Sequence, residues 1–584
     1  MNQQTSSYSQ QHRRIMKHNR KSKWPLFFIM LFVIAIIATV FIYVQNTGNK
    51  NYEQVPFKNQ NPIFYQHEEL EKGAIGKQES LKLPFSVIQN VIDPNIFYDD
   101  ATQSVIITTN DKVMRMQTEQ LTAMINEQPI SLSFSVEIVD GEAYVPIQPL
   151  VDIYDIAILQ YEQSDAVFIF KDGESIQWGE IGVHFKDATQ LTPVRKEPSN
   201  ESPIIVDGEK GQQVMILGEQ KGWYQVQLKS GSIGFIDKDD VSLYDVEVIQ
   251  RNADTLPSYV PWKPIDGKIN VTWEYVNRVN PNVKDIPPMI GVNVISPTWF
   301  EVQDEQGNIL NKADASYVQW AHENQMQVWA LFKNNFRDPD MTSALLANYD
   351  ARINMIKQLL TYVEMYDLQG INIDFENVYL KDKDNLTQFV RELTPFMHEQ
   401  GAVVSIDVTI RGGSEMWSLF YDRERLGEVV DYMMVMTYDE HWASSPKAGS
   451  VASLPWVEKG ITDIIKEDRV PPSKLLVGVP YYTRLWMEET IDGVTSVSSK
   501  TFSMTAAQNY IKEKNLEPIY DEQTKQNYVE HTEGNIVYKM WIEDAVSMKA
   551  RAELVNKLDI AGIASWRRGL ETQDVWEIIH TEIQ

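Results

Sequence analysis

The sequence of 584 residues contains no cysteine. This absence excludes disulfide bonds, thiol catalysis and structural zinc sites built on cysteine. The nine histidines are scattered, and no pair shows the His-x-x-x-His spacing that holds zinc in many hydrolases. The sequence therefore predicts no metal and no other cofactor, and a metal-dependent deacetylase is not expected.

Basic residues are also scarce. Lys and Arg number 53 against 81 Asp and Glu, for a formal net charge of −28. Nucleic-acid binding needs a basic surface, so a nucleic-acid partner is excluded. The 43% apolar content is typical of a globular protein. The length suggests roughly three or four domains.

The N-terminus is the one basic segment. Residues 1–24 hold six Lys or Arg and no acidic residue, and an uncharged run of 20 residues follows from Pro25 to Val44. At about 1.5 Å per residue, this run is long enough for a hydrocarbon core of about 30 Å. It lacks the small-residue cleavage site of a signal peptide. The sequence therefore predicts a basic cytoplasmic tail at 1–24, a single-pass anchor in the cell membrane at 25–44, and an extracytoplasmic remainder.

Two weaker patterns follow the predicted anchor. Residues 45–82 are polar and predict a stalk. Residues 83–172 predict a β-rich domain, because short apolar runs alternate with turn signals. Within it, the stretch Tyr144-Val-Pro-Ile147 and the apolar segment up to Ile158 resemble the N-terminal domain of copper amine oxidases. No histidine cluster accompanies this stretch, so no copper chemistry is expected.

Residues 190–245 predict a small barrel of short strands. Their glycines and aromatic residues occur in the order seen in bacterial Src-homology-3-type domains, which the segment resembles. Trp223 and Tyr224 could bind a wall peptide or glycan, or they could form the core that so small a domain needs. For Trp223 the core position is the favoured interpretation. The residues that carry the resemblance are Val194-Arg195, Gly211, Gly222–Val226 and Gly234–Ile236.

From residue 261 to the end, apolar strand-like runs alternate with helical segments, which is typical of a parallel sheet covered by helices. Eight such units predict an α/β fold, a (β/α)8 TIM barrel. The segment 483–539 is too long for a simple connection and predicts an insertion. The eight candidate strands are Met289–Ile295, Trp299–Val302, Gln327–Phe332, Gly370–Glu376, Val403–Val408, Tyr432–Tyr438, Leu475–Pro480 and Gly562–Trp566.

The most informative run is Gly370-Ile-Asn-Ile-Asp-Phe-Glu376. Successive side chains of a strand point to opposite faces, so Asn372, Asp374 and Glu376 share one face and the apolar residues share the other. The apolar face suits the covering helices, which leaves the polar face in the barrel lumen. Burying carboxylates without basic partners is costly, and proteins tolerate it chiefly at functional sites.

This run resembles the fourth-strand motif of glycoside hydrolase family 18, Asp-Gly-x-Asp-x-Asp-x-Glu. Gly370, Asp374 and Glu376 are in register with it, whereas Gln369 and Asn372 replace its first two aspartates. The version Asn-x-Asp-x-Glu is similar to that of the bacterial cell-wall and spore-cortex branch, so the departure does not indicate inactivation.

Further family motifs follow in the expected order across residues 261–584. Met436-Thr-Tyr438-Asp439 resembles the sixth-strand motif Met-x-Tyr-Asp. Gly478-Val-Pro-Tyr-Tyr-Thr-Arg-Leu-Trp486 resembles the seventh-strand pattern. Trp566 stands where the family places the tryptophan that floors the sugar site. The resemblance implies substrate contacts from Asn372, Asp439, Tyr482, Arg484 and Trp566.

The spacing of Asp374 and Glu376 constrains the mechanism. Two residues apart on one strand, their Cα atoms are about 6.6 Å apart on the same side, whereas the usual carboxylate pair of a glycosidase flanks the sugar. The nucleophile must come from elsewhere, and the resemblance implies the substrate's own 2-acetamido oxygen. In that scheme Glu376 is the general acid, Asp374 orients the acetamide and stabilises the oxazolinium, and Tyr438 donates a hydrogen bond to the acetamide oxygen.

Asn372 lies next to Asp374 on the same face and removes a like charge found in the usual motif. We therefore expect its amide to hydrogen-bond Asp374, and we expect Asp374 to stay ionised over a wider pH range. Trp299 and Trp442 are further candidate sugar contacts, because aromatic residues are in excess near the ends of the predicted strands.

The sequence thus predicts a retaining glycosidase acting on N-acetylglucosamine-containing glycans. Peptidoglycan is favoured over chitin because of the predicted anchor, stalk and wall-type small barrel. The alternative is a non-catalytic glycan-binding or scaffolding protein, against which the retained Glu376 speaks. The sequence gives no signal for an oligomeric state.

Overall fold

The chain is described by a computed structural model and folds into two compact units. One unit contains the described residues up to Lys82 and those from Ile147 to Gln250. The other contains Leu83–Pro146 and the residues from Tyr259 onward. The predicted β-rich domain at 83–172 contributes to both units. The described residues are 24–161, 164–184, 186–187, 189–250 and 259–583.

The N-terminal helix Trp24–Thr47 covers the apolar run in which an anchor was predicted. Within the described ranges, no helix combines the length and the apolar character needed to cross a membrane. The predicted single-pass anchor at 25–44 therefore finds no support in the structure. Residues 1–23 of the predicted cytoplasmic tail lie outside the described ranges.

In the first unit, the predicted small barrel belongs to a seven-stranded sheet in which all pairings are antiparallel. Trp223 and Tyr224 are each 8% exposed and belong to its core, so Trp223 is a core residue as favoured. In sheet order the strands are Ile204–Gly208, Thr192–Arg195, Ile233–Asp237, Trp223–Leu228, Gln213–Gln220, Ser175–Ile181 and Val241–Val248.

The predicted stalk contains regular structure. Ile63–Tyr65 pairs in parallel with Val167–Lys171, inside a four-stranded sheet completed by Glu68–Glu69 and Ile156–Gln160. Ile63 and Phe64 are buried in this sheet. The neighbouring apolar residues Ile63 and Phe64 in a mostly polar segment form this strand against an apolar partner.

In the second unit, eight parallel strands close into a barrel, which confirms the predicted TIM barrel. We number its strands in chain order. They are β1 (Ile269–Glu274), β2 (Val294–Pro297), β3 (Gln327–Lys333), β4 (Gly370–Asp374), β5 (Val403–Thr409), β6 (Tyr432–Met436), β7 (Leu475–Pro480) and β8 (Gly562–Trp566).

Helices cover the outside of the barrel. The apolar face of β4 (Ile371, Ile373 and then Phe375) packs in the cluster that these helices share, as predicted, whereas Leu331 and Met434 belong to a separate cluster in the lumen. The helices are α1 (Ala315–Glu323), α2 (Pro339–Leu346), α3 (Tyr349–Tyr366), α4 (Lys383–Glu399), α5 (Arg423–Val429), α6 (Leu454–Glu467), α7 (Met504–Glu513), α8 (Ala545–Lys557) and α9 (Asp574–Glu582).

Two strand assignments from the sequence were wrong. The first barrel strand is β1, which was missed, and the predicted strand at Trp299–Val302 corresponds to Phe300–Val302, which forms a hairpin with Ile309–Asn311. β1 was missed because it alternates in the opposite sense. Its apolar Val271 and Trp273 belong to the lumen cluster, so its polar residues face outward.

The predicted insertion between β7 and β8 forms a small sheet of its own. Five strands form this sheet, and all their pairings are antiparallel. Helix α7 belongs to the same insertion. Its strands are Tyr482–Ile491, Val494–Ser503, Ile519–Asp521, Gln526–Glu533 and Ile536–Ile542.

A five-stranded antiparallel meander packs on the barrel helices α3 and α4. The contact between the meander and these helices contains a fully buried ionic triad. In it the Arg352 guanidinium of α3 pairs with Asp99 at 3.0 Å and with Glu392 of α4 at 2.8 Å. Gln388 and Arg391 of α4 also donate to Thr108. The meander strands are Phe97–Asp99, Ser104–Thr108, Val113–Gln117, Thr122–Ile125 and Gln128–Ser131.

Arg352→Met tests this ionic link. The change leaves two buried carboxylates without a counter-charge, so we expect the free energy of unfolding to fall by about 3–5 kcal/mol. The measurement is urea unfolding of the whole chain. Lys459→Gln is the control, since Lys459 is exposed and pairs with Asp463 at the surface, where a change costs less than about 1 kcal/mol. Equal losses in the two variants would refute a structural role for the triad.

Candidate active site

A cleft of about 660 Å³ lies at the carboxyl ends of the barrel strands. This is the end at which TIM barrels carry their active sites. Of the eight site residues predicted from the sequence, all but Asn372 and Arg484 line the cleft. Those that line it are Asp374, Glu376, Tyr438, Asp439, Tyr482 and Trp566.

Asp374 is the last residue of β4 and is 7% exposed. Its Oδ1 atom is buried and makes no hydrogen bond with any described residue. Burial raises the pKa of Asp374 well above its ordinary value, and the nearby charges of Glu376 and Asp407 act in the same direction. Lys333 at the end of β3 opposes this rise only in part.

Glu376 lies two residues beyond the end of β4, so strand pairing does not hold its backbone. The buried side chain of Asn334 does so instead. The Glu376 N–H donates to Asn334 Oδ1, and Asn334 Nδ2 donates to the Glu376 carbonyl, both at 2.9 Å. The Tyr421 hydroxyl donates to the carbonyl of the preceding Phe375 at 2.8 Å. Both contacts fix the direction in which the Glu376 side chain leaves the backbone.

The Glu376 carboxyl has a pKa near neutral pH. Burial, aided by the charge of Asp439, raises the pKa of Glu376 to about 7, while Lys333 lowers it. A carboxyl with such a pKa can donate a proton near neutral pH and can accept it back.

Asn372 makes no hydrogen bond to Asp374, so that expectation was wrong. The fully buried Asn372 accepts hydrogen bonds from Trp273 Nε1 at 2.9 Å and Ser296 Oγ at 3.2 Å, and its Nδ2 donates to Asp407 Oδ1 at 2.9 Å. It supports the floor of the site from below and does not reach the cleft.

Asp407 on β5 is the residue that sequence reasoning missed. It lines the cleft, is 2% exposed, and burial raises its pKa well above the ordinary value. Burial raises the pKa of Asp374 most, and the charges of Glu376 and then Asp407 add to the rise, so Asp374 does not have the wider ionised range that we expected. A signal existed, because Ser405, Asp407 and Thr409 alternate with valine and isoleucine as in β4.

Tyr438 and Asp439 follow β6 and line the cleft, and they differ in their hydrogen bonds. The Tyr438 hydroxyl makes no hydrogen bond with any described residue, and burial raises the pKa of Tyr438 well above its ordinary value, so the hydroxyl stays a donor. Asp439 adopts a left-handed backbone (φ 62°). Its Oδ1 accepts from the Tyr482 hydroxyl and from Arg484 Nη2, both at 2.7 Å. Arg484 therefore acts behind the cleft, on Asp439.

The aromatic predictions were partly wrong. Trp566 lines the cleft and packs edge-on against Trp273, with ring centroids 5.8 Å apart. Trp299 is fully buried in the core, and Trp442 is exposed but does not line the cleft. Sequence reasoning missed three aromatic residues that lie in loops or in the short helix Glu415–Leu419, where no periodic pattern marks them. They are Tyr275, Phe336 and Trp417.

Comparisons with known proteins confirm the three resemblances. Residues 333–571 match the model of the glycosyl hydrolases family 18. Residues 65–169 match the copper amine oxidase N-terminal domain, and residues 190–242 match the bacterial SH3 domain.

Individual relatives agree with the family model. The uncharacterized glycosylase YvbX of Bacillus subtilis is 25% identical over 302 residues, which cover 49% of this chain and 84% of YvbX. The cortical fragment-lytic enzyme of Bacillus anthracis is 24% identical over 260 residues, 44% of this chain and 59% of that enzyme. Among solved structures, the C-terminal domain of a putative chitinase from Desulfitobacterium hafniense aligns over 55% of this chain and all of that domain, with 23% identity and a TM-score of 0.48.

The contact between Asn372 and Asp407 yields a stability prediction. In Asn372→Asp a second carboxyl replaces the donor amide, so the two acids must share a proton and the pKa of the pair rises above its ordinary value. A raised folded-state pKa gives stability that is lost as pH rises. We therefore expect the variant to be destabilised more at pH 8 than at pH 5, measured by urea unfolding. Asn372→Leu is the control, and its loss should depend less on pH because it adds no second carboxyl. Equal losses of Asn372→Asp at both pH values would refute the shared proton.

Proposed function

We propose that this chain, a glycosidase of the glycosyl hydrolases family 18, cleaves β-1,4-linked N-acetylglucosamine-containing glycans of the cell wall with retention of configuration. The observation that carries the proposal is Glu376, a partly buried acid with a pKa of about 7 in the barrel cleft beside Asp374. A solvated carboxyl could not hold a proton for donation at neutral pH.

In the proposed mechanism the nucleophile is the acetamido oxygen of the substrate. It attacks the anomeric carbon as the bond to the leaving oxygen breaks and Glu376 protonates that oxygen. Asp374 accepts a hydrogen bond from the acetamide N–H. Asp374 reacts in its ionised form, which the positive charge of the oxazolinium favours and which in turn stabilises the oxazolinium. The Tyr438 hydroxyl donates to the acetamide oxygen, and Trp566 supports the sugar ring.

The second half of the reaction returns the site to its starting state. Ionised Glu376 takes a proton from water, whose oxygen attacks the anomeric carbon and opens the oxazolinium. Two displacements at one carbon restore its configuration. Asp439 has a different task, because its carboxylate already binds Tyr482 and Arg484 and keeps the wall of the site in place.

The wall glycan is favoured as substrate by the rest of the chain. Bacterial SH3 domains and cortical fragment-lytic relatives accompany action outside the cytoplasm on peptidoglycan, and we extend that location to this chain. Chitin-like oligomers are the second candidate substrate, since they carry the same acetamido group. The proposed activity does not depend on a membrane anchor.

Glu376→Gln tests the general acid. The amide has the same shape but no transferable proton, so we expect hydrolysis of purified peptidoglycan to fall by roughly 10²–10⁴-fold at neutral pH. Mass spectrometry of released muropeptides measures the rate and identifies the cleaved bond. Binding to insoluble glycan should persist, and the exposed control Glu364→Gln should keep full activity. A Glu376→Gln variant with more than about a tenth of native hydrolysis would exclude Glu376 as the acid.

Lys333→Met tests how the charge on β3 tunes this acid. The acid must be protonated, so kcat/KM should fall as pH rises through about 7, the pKa of Glu376. Lys333 lowers the pKa of Glu376, and its removal should move this basic limb to higher pH. The measurement is the pH profile on a soluble N-acetylglucosamine oligomer, with exposed Lys466→Met as the control. A limb that stays in place or moves to lower pH would contradict the assignment.

A further inference from the structure

One wall of the cleft is cationic although the chain as a whole is strongly acidic. Arg278 follows β1, Lys312 follows the hairpin strand Ile309–Asn311, and Lys333 ends β3. We call these three residues the cationic wall. Glu301 is the carboxylate on the same side of the cleft. The loops after β5 to β8 form the opposite side and carry Trp417, Tyr438 and Tyr482.

The described partners do not use up the positive charge of this wall. Lys333 Nζ pairs with Glu301 at 3.4 Å, with both side chains about one-quarter exposed. Lys312 Nζ donates to the Val276 carbonyl at 2.9 Å and makes no ion pair with a described residue. The exposed Arg278 guanidinium makes no hydrogen bond and no ion pair with any described residue. Three cations therefore face one carboxylate.

Interaction with the catalytic carboxyls explains the position of only one of these cations, Lys333. Lys333 lowers the pKa of both Asp374 and Glu376, but neither Arg278 nor Lys312 is among the charges that shift them. Lys312 is half-buried, and burial lowers its own pKa. The charge of Glu301 offsets this effect only in part. Partial burial of an ammonium without a paired carboxylate is costly, so a ligand charge is the better explanation for its position.

We propose that the cationic wall binds the lactyl carboxylate of an N-acetylmuramic acid residue next to the scissile bond. This inference rests on the proposed function and adds the substrate class. A neutral N-acetylglucosamine polymer has no group for these cations, whereas each N-acetylmuramic acid residue without a stem peptide carries a free lactyl carboxylate. Arg278 suits that group because a guanidinium binds a carboxylate through two parallel hydrogen bonds. Elsewhere the acidic chain repels an anionic glycan, so this wall also orients the strand.

The test compares two soluble, peptide-free glycan strands. One is the natural alternating strand of N-acetylglucosamine and N-acetylmuramic acid, and the other has its lactyl carboxyls converted to methyl amides. We expect native kcat/KM to favour the natural strand by about tenfold or more, the scale of a hydrogen bond to a charged group. Arg278→Gln should bring this ratio close to one. Arg469→Gln, which changes an exposed arginine between α6 and β7, is the matched control and should keep the ratio.

A separate measurement of binding distinguishes the proposed glycosidase activity from the proposed cationic wall. Calorimetry with the Glu376→Gln chain gives the affinity ratio for the two strands without hydrolysis. If the native chain hydrolyses both strands with a kcat/KM ratio near one, the cationic wall is overturned and the proposed glycosidase activity stands. A retained affinity ratio without hydrolysis of any strand would support the wall and overturn the activity. Cleavage of neutral N-acetylglucosamine oligomers alone would also overturn the wall.

Discussion

The arrangement of the site depends on the energetic cost of placing carboxyl groups together where water is excluded. Asp374 and Asp407 stand on the neighbouring strands β4 and β5, and both are almost fully buried. Burial raises both pKa values. The charges of Glu376 and Asp407 raise that of Asp374 further, and the charge of Glu376 raises that of Asp407 further. The amide of Asn372 satisfies Asp407 from below. The buried Asp374 Oδ1 is left without a partner among the described residues, at the floor of the cleft.

Such a site needs a rigid frame, because a misplaced acid is a poor catalyst. Strand pairing supplies that frame only as far as Asp374. Beyond it, the amide of Asn334 takes the place of a neighbouring strand and binds both backbone groups of Glu376. Asp439 shows the same solution on the opposite side, where Tyr482 and Arg484 hold a left-handed residue in place. At these two positions, side-chain contacts hold a residue in place where strand pairing has ended.

These contacts explain which features of the site could be predicted from the sequence and which could not. Alternation within one strand correctly placed Asn372 and Asp374 in the lumen, because that pattern is local. The partner of Asn372 was not predictable from β4 alone, since hydrogen bonds across the lumen connect strands that are distant in sequence. The same limit hid the triad of Arg352, Asp99 and Glu392, which joins the meander to α3 and α4. A fragment beginning at residue 261 would lack Asp99 and would uncover this contact.

Lys333 connects the two proposed properties of the cleft. Lys333 is the last residue of β3. Its ammonium pairs with Glu301 and, in the free protein, lowers the pKa of both Asp374 and Glu376. A substrate carboxylate bound at the cationic wall would offset part of that positive charge. The pKa of Glu376 would then rise when the glycan binds, because less positive charge would stabilise its ionised form. An anionic strand would thereby help to keep the acid protonated until the glycosidic bond breaks, whereas a neutral oligomer would leave the pKa as it is in the free enzyme.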